Sequence, residues 1–320
     1  MRTYILRRFL QLIPLLLGIT VITFLLIQLV PGDVTDRWPP DIPEATRQAA
    51  LERAGLDKPW PIQYVLYVKN IVLHGDFGYS VSFKQPVGDV LKSRVLHTLL
   101  LASAGALVTW VLAIPLGVMA AVRQHTWVDK SISFGAFLGL SIPEVLMGLL
   151  LLMFAYSTGW FPIGGMRSID WNELGTFARM RDLLHHLFLP AIVVGLIPLA
   201  IRMRQMRANL LDVLRLDYVT TARAKGLSEN VVIYKHALRN ALNPLITLFG
   251  FTLGDLLAGS FIAEIIFSWP GLGRVTLDAL LAQDTYLVTG AVLMAATMLV
   301  IGNLIADVLL AIADPRITYD

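Results

Sequence analysis

Residues 217–244 read DYVTTARAKGLSENVVIYKHALRNALNP, a polar and cationic stretch in a chain of 320 residues that is 56% hydrophobic and only 15% charged. Soluble domains carry about 25% charged residues, so the composition indicates an integral membrane protein. The stretch must therefore connect two membrane spans, and its position decides how the spans are arranged. Cysteine is absent, which leaves neither disulfides nor a thiolate metal site.

Six apolar runs are distributed along the chain, four before this stretch and two after it. A helix needs about 20 residues to cross about 30 Å of hydrocarbon, and the runs are close to that length. The fourth run is short, but Arg202 and Arg204 can extend their stems to the interface, so its helix is free to continue. The predicted spans are 9–30, 98–122, 134–158, about 187–201, 245–267 and 288–313.

Basic residues near the span ends predict the orientation. Arg2, Arg7 and Arg8 precede the first span and place the amino terminus in the cytoplasm. An even number of spans then returns the carboxyl terminus to the same side. The segment 202–244 carries eight Lys or Arg against three acids, and it falls on the cytoplasmic side as the positive-inside rule requires.

A folded external insertion is predicted between the first two spans. Glu44 opens a helical stretch that stops at Gly55, and Pro61 opens a second that stops before Gly75. No internal repeat is evident, so the chain is predicted to form one membrane domain. Its parts are the cytoplasmic amino terminus with the first span, 1–30, the external insertion, 31–97, and a five-helix core, 98–320, that includes the cytoplasmic loop 202–244.

The opening stretch itself predicts two helices joined by a glycine. Asp217 begins the first helix and Gly226 ends it, while Ser228 opens the second, which runs to Asn243-Pro244. Small residues flanked by cations on the first helix predict a docking surface. The alternative is an ordinary basic loop that fixes orientation and touches lipid head groups. The second helix is predicted to pack through an apolar stripe of Val231, Tyr234, Leu238, Ala241 and Leu242.

Motifs for chemistry are missing. The chain has no G-x-x-x-x-G-K-[ST] phosphate loop, no H-E-x-x-H and no G-x-S-x-G. The adjacent pair His185-His186 points about 100° apart on a helix, without a third ligand, so no metal site is predicted.

Carboxylates within the apolar runs are the remaining functional candidates. A charge at mid-bilayer costs about 2.5–3.5 kcal/mol on insertion scales, so it must face protein or water. Glu144 follows Pro143, which bends the helix, and Asp255 lies in the fifth span. These two and Glu264 are candidates for a translocation path. For Glu264 and Asp307, hydrogen bonding to a neighbouring helix is an equally open interpretation.

Several blocks of the sequence resemble one family. Thr220-Thr221-Ala222 followed by Gly226 resembles the EAA loop of permease subunits of bacterial ABC importers, with Thr220 where the family has Glu. DYVTTARAKGLS is similar to the dipeptide and oligopeptide branch. The resemblance extends over nearly the whole chain through LVPGD, GLDKPWPIQY, HGDFGYS, HALRNALNP and EIIFSWPGLGR.

This resemblance implies an all-α integral membrane protein with six transmembrane helices and the type I ABC importer permease fold, with both termini in the cytoplasm of a bacterial cell and the spans in its inner membrane. It implies a second homologous permease subunit, two ATPase subunits that hold ATP and Mg, and an external solute-binding protein, with no cofactor, catalysed reaction or nucleic acid partner for this chain. The residues it assigns to ATPase coupling are Asp217, Tyr218, Thr221, Ala222, Arg223, Ala224, Lys225, Gly226 and Leu227.

The branch implies di- or oligopeptides as cargo, with nickel, glutathione or another small solute as alternatives. Two hypotheses outside the family remain open. An ion-coupled secondary transporter would use the carboxylates within the spans as cation sites. An intramembrane enzyme would use paired carboxylates as general acid and base.

Overall fold

The computed structural model describes residues 2–32 and 41–313, with the side chains of 2–9, 50, 53–54, 247, 250–259 and 306–313 outside the description. Helices make up 79% of it. The mostly helical fold predicted from the composition is therefore confirmed.

The first part of the chain is a long helix followed by the predicted insertion. Helix α1 covers Arg2–Gln28, α2 covers Glu44–Ala54 and α3 covers Trp60–His74. Both helices of the insertion end at a glycine in the left-handed region, Gly55 with φ 71° and Gly75 with φ 65°, as the sequence predicted. The next feature was not predicted. It is a two-stranded antiparallel hairpin, β1 at Tyr79–Ser80 and β2 at Gln85–Pro86, and two-residue strands are too short to carry a period-2 pattern.

Two very long helices form the centre of the bundle. Helix α4 covers Val87–Val122 and begins before the predicted second span, while α7 covers Thr176–Leu214 and extends the fourth span at both ends. Glycines let them approach closely. A Cβ atom at Gly117 would lie 2.6 Å from the Cβ of Met206, and one at Gly195 would lie 2.8 Å from the carbonyl oxygen of Gly105.

The predicted third span is two helices. Helix α5 covers Trp127–Ser141 and α6 covers Glu144–Thr158, and they meet at an angle of 105°. The break falls at Ile142 and Pro143. Proline has no amide hydrogen and restricts the residue before it, which explains why a continuous apolar run does not form one continuous helix.

The remaining elements complete the two ends of the bundle. The end that follows α7 carries α8 (Asp217–Ala224), a π-helix (Val231–Ala237) and α9 (Leu238–Ala241). The other end carries a 3-10 turn at Ile169–Asn172 and α11 (Leu272–Leu281). Helices α10 (Asn243–Ile266) and α12 (Thr285–Ala313) connect the ends.

Four helices are long and apolar enough to cross a membrane, counting only residues whose side chains are described. They are within α1, α4, α7 and α12, and the bent pair of α5 and α6 makes five if it is one span. Helix α10 occupies the predicted fifth span and has 24 residues, but side chains 250–259 within it lie outside the description. The count of six spans and the orientation therefore stay predictions.

Candidate functional site: the α8 loop and the carboxylates of the spans

Helix α8 has one face against the bundle and one face exposed. Val219 and Ala222 are buried in an apolar cluster with Met206 and Leu210 of α7 and with Val232. Ala222, which the sequence grouped with the docking residues, thus anchors the helix. The exposed residues of the loop are Asp217, Tyr218, Thr220, Thr221, Arg223, Ala224, Lys225, Gly226 and Leu227.

Gly226 ends this segment in a conformation that other residues rarely adopt. Its φ is 78°, and its amide donates to the Arg223 carbonyl oxygen at 2.9 Å. A Cβ atom there would meet nothing within 4 Å. Glycine is therefore favoured by the backbone angle and not by crowding, and the space around it is open for a partner.

Two side-chain contacts hold α8 to the helix that follows. The Asn240 amide nitrogen donates to the Tyr218 hydroxyl at 2.7 Å. The Arg223 guanidinium pairs with both carboxylate oxygens of Glu229, at 2.6 and 3.2 Å. This hydrogen bond lowers the pKa of the Glu229 carboxyl from its ordinary value, so the pair is charged at neutral pH. Both side chains are exposed, and such pairs contribute about 0.2–1 kcal/mol, so their effect is on orientation more than on stability.

The apolar stripe predicted for the second helix is wrong in one part. Tyr234 is 59% exposed, whereas Ala241 is buried as predicted, together with Val232, Ile233 and Ala237, which the stripe did not include. The reason is the π-helix: it has more residues per turn than an α-helix, so a stripe counted at 3.6 residues drifts off the buried face.

Glu264 is fully buried at the far end of α10, where it connects three helices. Its carboxylate accepts from the Thr98 hydroxyl of α4 at 2.6 Å and from the Gly273 amide of α11 at 2.6 Å. The Thr98 hydroxyl in turn accepts from the Leu272 amide at 2.8 Å. The carboxylate therefore satisfies amides of the first turn of α11 that have no partner within the helix. A cavity of about 250 Å³ beside it is lined by Thr98, Ser260 and Thr276 among other residues.

The turn between α10 and α11 is fixed by further contacts with α4. The Trp269 indole nitrogen donates to the His97 carbonyl oxygen at 3.0 Å, and Arg94 and His97 both reach the Pro270 carbonyl oxygen. A Cβ atom at Gly271 would overlap the Glu264 carboxyl group. This segment, EIIFSWPGLGR, resembles the family in sequence, but no pattern in it predicts that its glycines make room for Glu264.

Glu144 lies in the first turn of α6, just after the break. It is half-buried, and its Oε1 is buried without a hydrogen-bond partner among the described residues. Buried polar groups are normally hydrogen-bonded, so an unpaired carboxylate oxygen at a break in the apolar region is a candidate for binding a ligand. Asp255 is in the helical backbone of α10, but its side chain lies outside the described residues, as does that of Asp307. Among the described side chains no hydrogen bond joins Glu144 to Glu264, and the place of Asp255 beside them stays a prediction.

The comparisons with known proteins agree with this architecture. Residues 113–319 match the family described as "Binding-protein-dependent transport system inner membrane component", and residues 1–102 match the corresponding N-terminal family. The chain is thus a membrane component of a transport system. It belongs to the family of inner membrane components of binding-protein-dependent transport systems, as the resemblance in its sequence implied.

Curated relatives are permeases over their full length. The chain is 42% identical to the oligopeptide transport system permease protein AppB of Bacillus subtilis, with 100% of both chains covered. It is 38% identical to the di/tripeptide transport system permease protein DppB of Pseudomonas aeruginosa, and 39% identical to the dipeptide transport system permease protein DppB of Escherichia coli K12. Each of these two alignments covers 100% of this chain and 99% of the relative.

A solved structure shares the fold. A chain from the inward-facing MetNI methionine ABC transporter aligns with a TM-score of 0.50 and 17% identity, covering 69% of this chain and 96% of that one. At this identity the likeness concerns the fold alone, and it agrees with the permease fold that the sequence predicted.

Proposed function

We propose that this chain is one of two membrane halves of an ATP-driven importer, and that it passes di- or oligopeptides from an external binding protein to the cell interior. Relatives over the full length are named oligopeptide, di/tripeptide and dipeptide permeases, which supports this cargo. Nickel, glutathione and other small solutes are the alternative cargoes for the same architecture.

The observation that carries this function is the two-faced α8. Val219 and Ala222 anchor it to the bundle, while Tyr218, Thr221 and Arg223 stay exposed on a surface that nothing in the described chain covers. The exposed face is the docking surface for an ATPase subunit in our proposal. Because the chain has no phosphate loop, ATP and Mg belong to the two ATPase subunits.

Energy would enter through the loop and reach the spans through α7 and α10, which flank it. ATP binding that brings the ATPase subunits together favours one arrangement of the spans over another, and this shifts the population between inward-open and outward-open states. Within the path, we assign Glu144 and Asp255 to contact with cargo, because a peptide amino terminus is a cation. Glu264 is a weaker candidate, since its oxygens already have protein partners.

Reconstitution tests the proposal. The chain, a second permease, the two ATPases and the binding protein are assembled in proteoliposomes, and uptake of a labelled dipeptide is followed with and without ATP. Uptake that needs ATP and the binding protein, and that unlabelled peptides suppress but nickel and glutathione do not, is the expected result. Uptake of nickel or glutathione instead would overturn the peptide assignment and leave the importer assignment standing.

One observation favours a second candidate, an ion-coupled transporter. Oε1 of Glu144 is buried without a hydrogen-bond partner among the described residues, and an intramembrane carboxylate of this kind can bind a cation or pass a proton. Uptake in the same proteoliposomes that persists without ATP and collapses with an uncoupler would establish this function and reject the ATP-driven one.

A further inference from the structure

A cleft of about 520 Å³ lies between α5 and α7, toward the end of the bundle that carries α8. We call it the α5–α7 cleft. It is within the range of 300–1,000 Å³ that is usual for ligand sites. Its walls combine apolar side chains with cationic and amide side chains. The lining residues are Ser133, Phe137, Ile201, Arg204, Gln205, Arg207 and Ala208.

Helical spacing makes the cleft a continuous stripe on each side. On α7, Ile201, Arg204 and Ala208 follow one another at intervals of three and four residues, and on α5 Ser133 and Phe137 are four apart. The stripe on α5 continues toward the amino terminus through Lys130 to Trp127.

The same region has the features of a membrane surface. Trp127 is 82% exposed, and the Lys130 ammonium lies 5.8 Å from the centre of its ring. Trp is enriched where the hydrocarbon meets the head groups. About two and three turns beyond Trp127 along α5, Phe134 and Phe137 are exposed by 64% and 53%, as expected of a face toward acyl chains. The cleft therefore extends from head-group level into the hydrocarbon.

The charges around the cleft are unequal. Arg207 is occupied by Asp129, with two hydrogen bonds of 2.7 and 2.8 Å, so this pair is neutral overall. Arg204 is exposed and its guanidinium carbon lies 4.8 Å from the centre of the Phe137 ring. No carboxylate among the side chains that the structure describes pairs with Arg204. One uncompensated cation thus stands at the polar end of an apolar cleft.

We propose that the α5–α7 cleft binds an anionic phospholipid, with the phosphodiester at Arg204 and Gln205 and an acyl chain along Phe137 and Ile201. The amphipathic lining fits an amphipathic ligand, and basic pockets between membrane helices attract anionic head groups. A free phosphate would make no contact with the apolar wall, and a zwitterionic lipid would leave the charge of Arg204 uncompensated. The site does not depend on the cargo or on ATP.

The test uses the full chain, delipidated in detergent. Phosphatidylglycerol or phosphatidylcholine is titrated in, and bound lipid is counted by native mass spectrometry alongside the shift in melting temperature. Arg204→Ala is compared with Arg204→Lys and with Arg181→Ala, an exposed arginine near the opposite end of the same helix. Inorganic phosphate alone is a separate arm.

The wild type is expected to retain phosphatidylglycerol in preference to phosphatidylcholine. Arg204→Ala should weaken phosphatidylglycerol binding about fivefold, while Arg204→Lys keeps most of it and Arg181→Ala binds like the wild type. Equal retention of both lipids, unchanged binding by Arg204→Ala, or the same thermal shift with inorganic phosphate alone would each overturn the proposal.

Discussion

The carboxylate of Glu264 in α10 accepts hydrogen bonds from α4 and α11, and a substitution at the neighbouring Gly271 tests how tightly it is held. Gly271→Ala places a methyl group on a carboxylate that Thr98 and Gly273 hold in position. Overpacking of this kind costs about 1–3 kcal/mol, so we expect a lower melting temperature in detergent. Gly135→Ala is the matched control, because a Cβ atom there meets nothing within 4 Å.

A double substitution separates overpacking from other causes. Glu264→Ala removes the group with which the methyl collides, so the losses from Gly271→Ala and Glu264→Ala should not add when they are combined. Strict additivity would contradict the contact described here.

Gly226 gives a second residue-scale prediction. Asn tolerates the left-handed region, so Gly226→Asn should keep most uptake, whereas Gly226→Trp adds bulk in the open space beside α8. If this space receives an ATPase subunit, the Trp variant inserts normally but hydrolyses ATP without uptake. Membrane abundance, ATP hydrolysis and uptake are measured together, and normal uptake by Gly226→Trp would remove the coupling role.

Helix ends were predicted correctly from the sequence where they depend on a single residue. Gly55, Gly75 and Gly226 end helices because a left-handed residue stops a helix, and that rule needs no knowledge of the fold. The hydrogen-bond partners of Glu264 could not be predicted, because they depend on the tertiary fold. Thr98 is 166 positions away, and only the packing of α4 against α10 brings them together.

At the scale of elements, the proposed coupling role of α8 predicts that its attachment to α9 matters for transport. Tyr218→Phe removes the hydrogen bond from Asn240 without changing the shape of the ring. A hydrogen bond of this kind contributes about 0.5–1.5 kcal/mol, so we expect unchanged abundance and a fall of about two- to tenfold in ATP-dependent uptake.

The matched control is Tyr234→Phe. Tyr234 is exposed on the neighbouring π-helix, and its hydroxyl has no hydrogen-bond partner in the described part of the chain. Both variants are assayed in the same proteoliposomes. Equal losses in the two variants would show that the contact between Tyr218 and Asn240 has no special role.

Elements were predicted well in position and less well in shape. The apolar run 134–158 fixed where α5 and α6 lie, and Pro143 marked the bend, but an angle of 105° depends on what packs around the break. The π-helix was missed because its residues, VVIYKHA, have no composition that separates them from an α-helix. The larger number of residues per turn in the π-helix places Tyr234 at the surface.

At the scale of the whole molecule, the predicted orientation can be tested because the chain has no cysteine. Ser82→Cys lies in the insertion that is predicted to be external and Ser228→Cys in the loop after α8, and both positions are exposed. A membrane-impermeant maleimide should label the first in intact spheroplasts and the second only after permeabilisation.

The unsubstituted chain is the background control for labelling. Labelling of both positions from outside would contradict the assignment of residues 202–244 to the cytoplasm. A reversed pattern would invert the whole topology and move the α8 loop to the wrong side for an ATPase.

Membrane location and family could be predicted from the sequence, because the composition and several ordered sequence blocks can be recognised without knowing any tertiary contact. The partner subunits were not readable in the same way. An exposed face such as that of α8 is an ordinary polar surface until a second protein covers it, and no pattern within one chain names that protein.

The length of α7 has a mechanical consequence. Its 39 residues extend about 58 Å, roughly twice the thickness of the hydrocarbon, and only two residues, Arg215 and Leu216, separate its end from α8. Its tight contacts with α4, at Gly195 and at Met206 opposite Gly117, are 11 residues apart, or about 17 Å along the helix. Two contacts that far apart oppose a pivot between the helices, so we expect a push on α8 to move α4 and α7 as one unit.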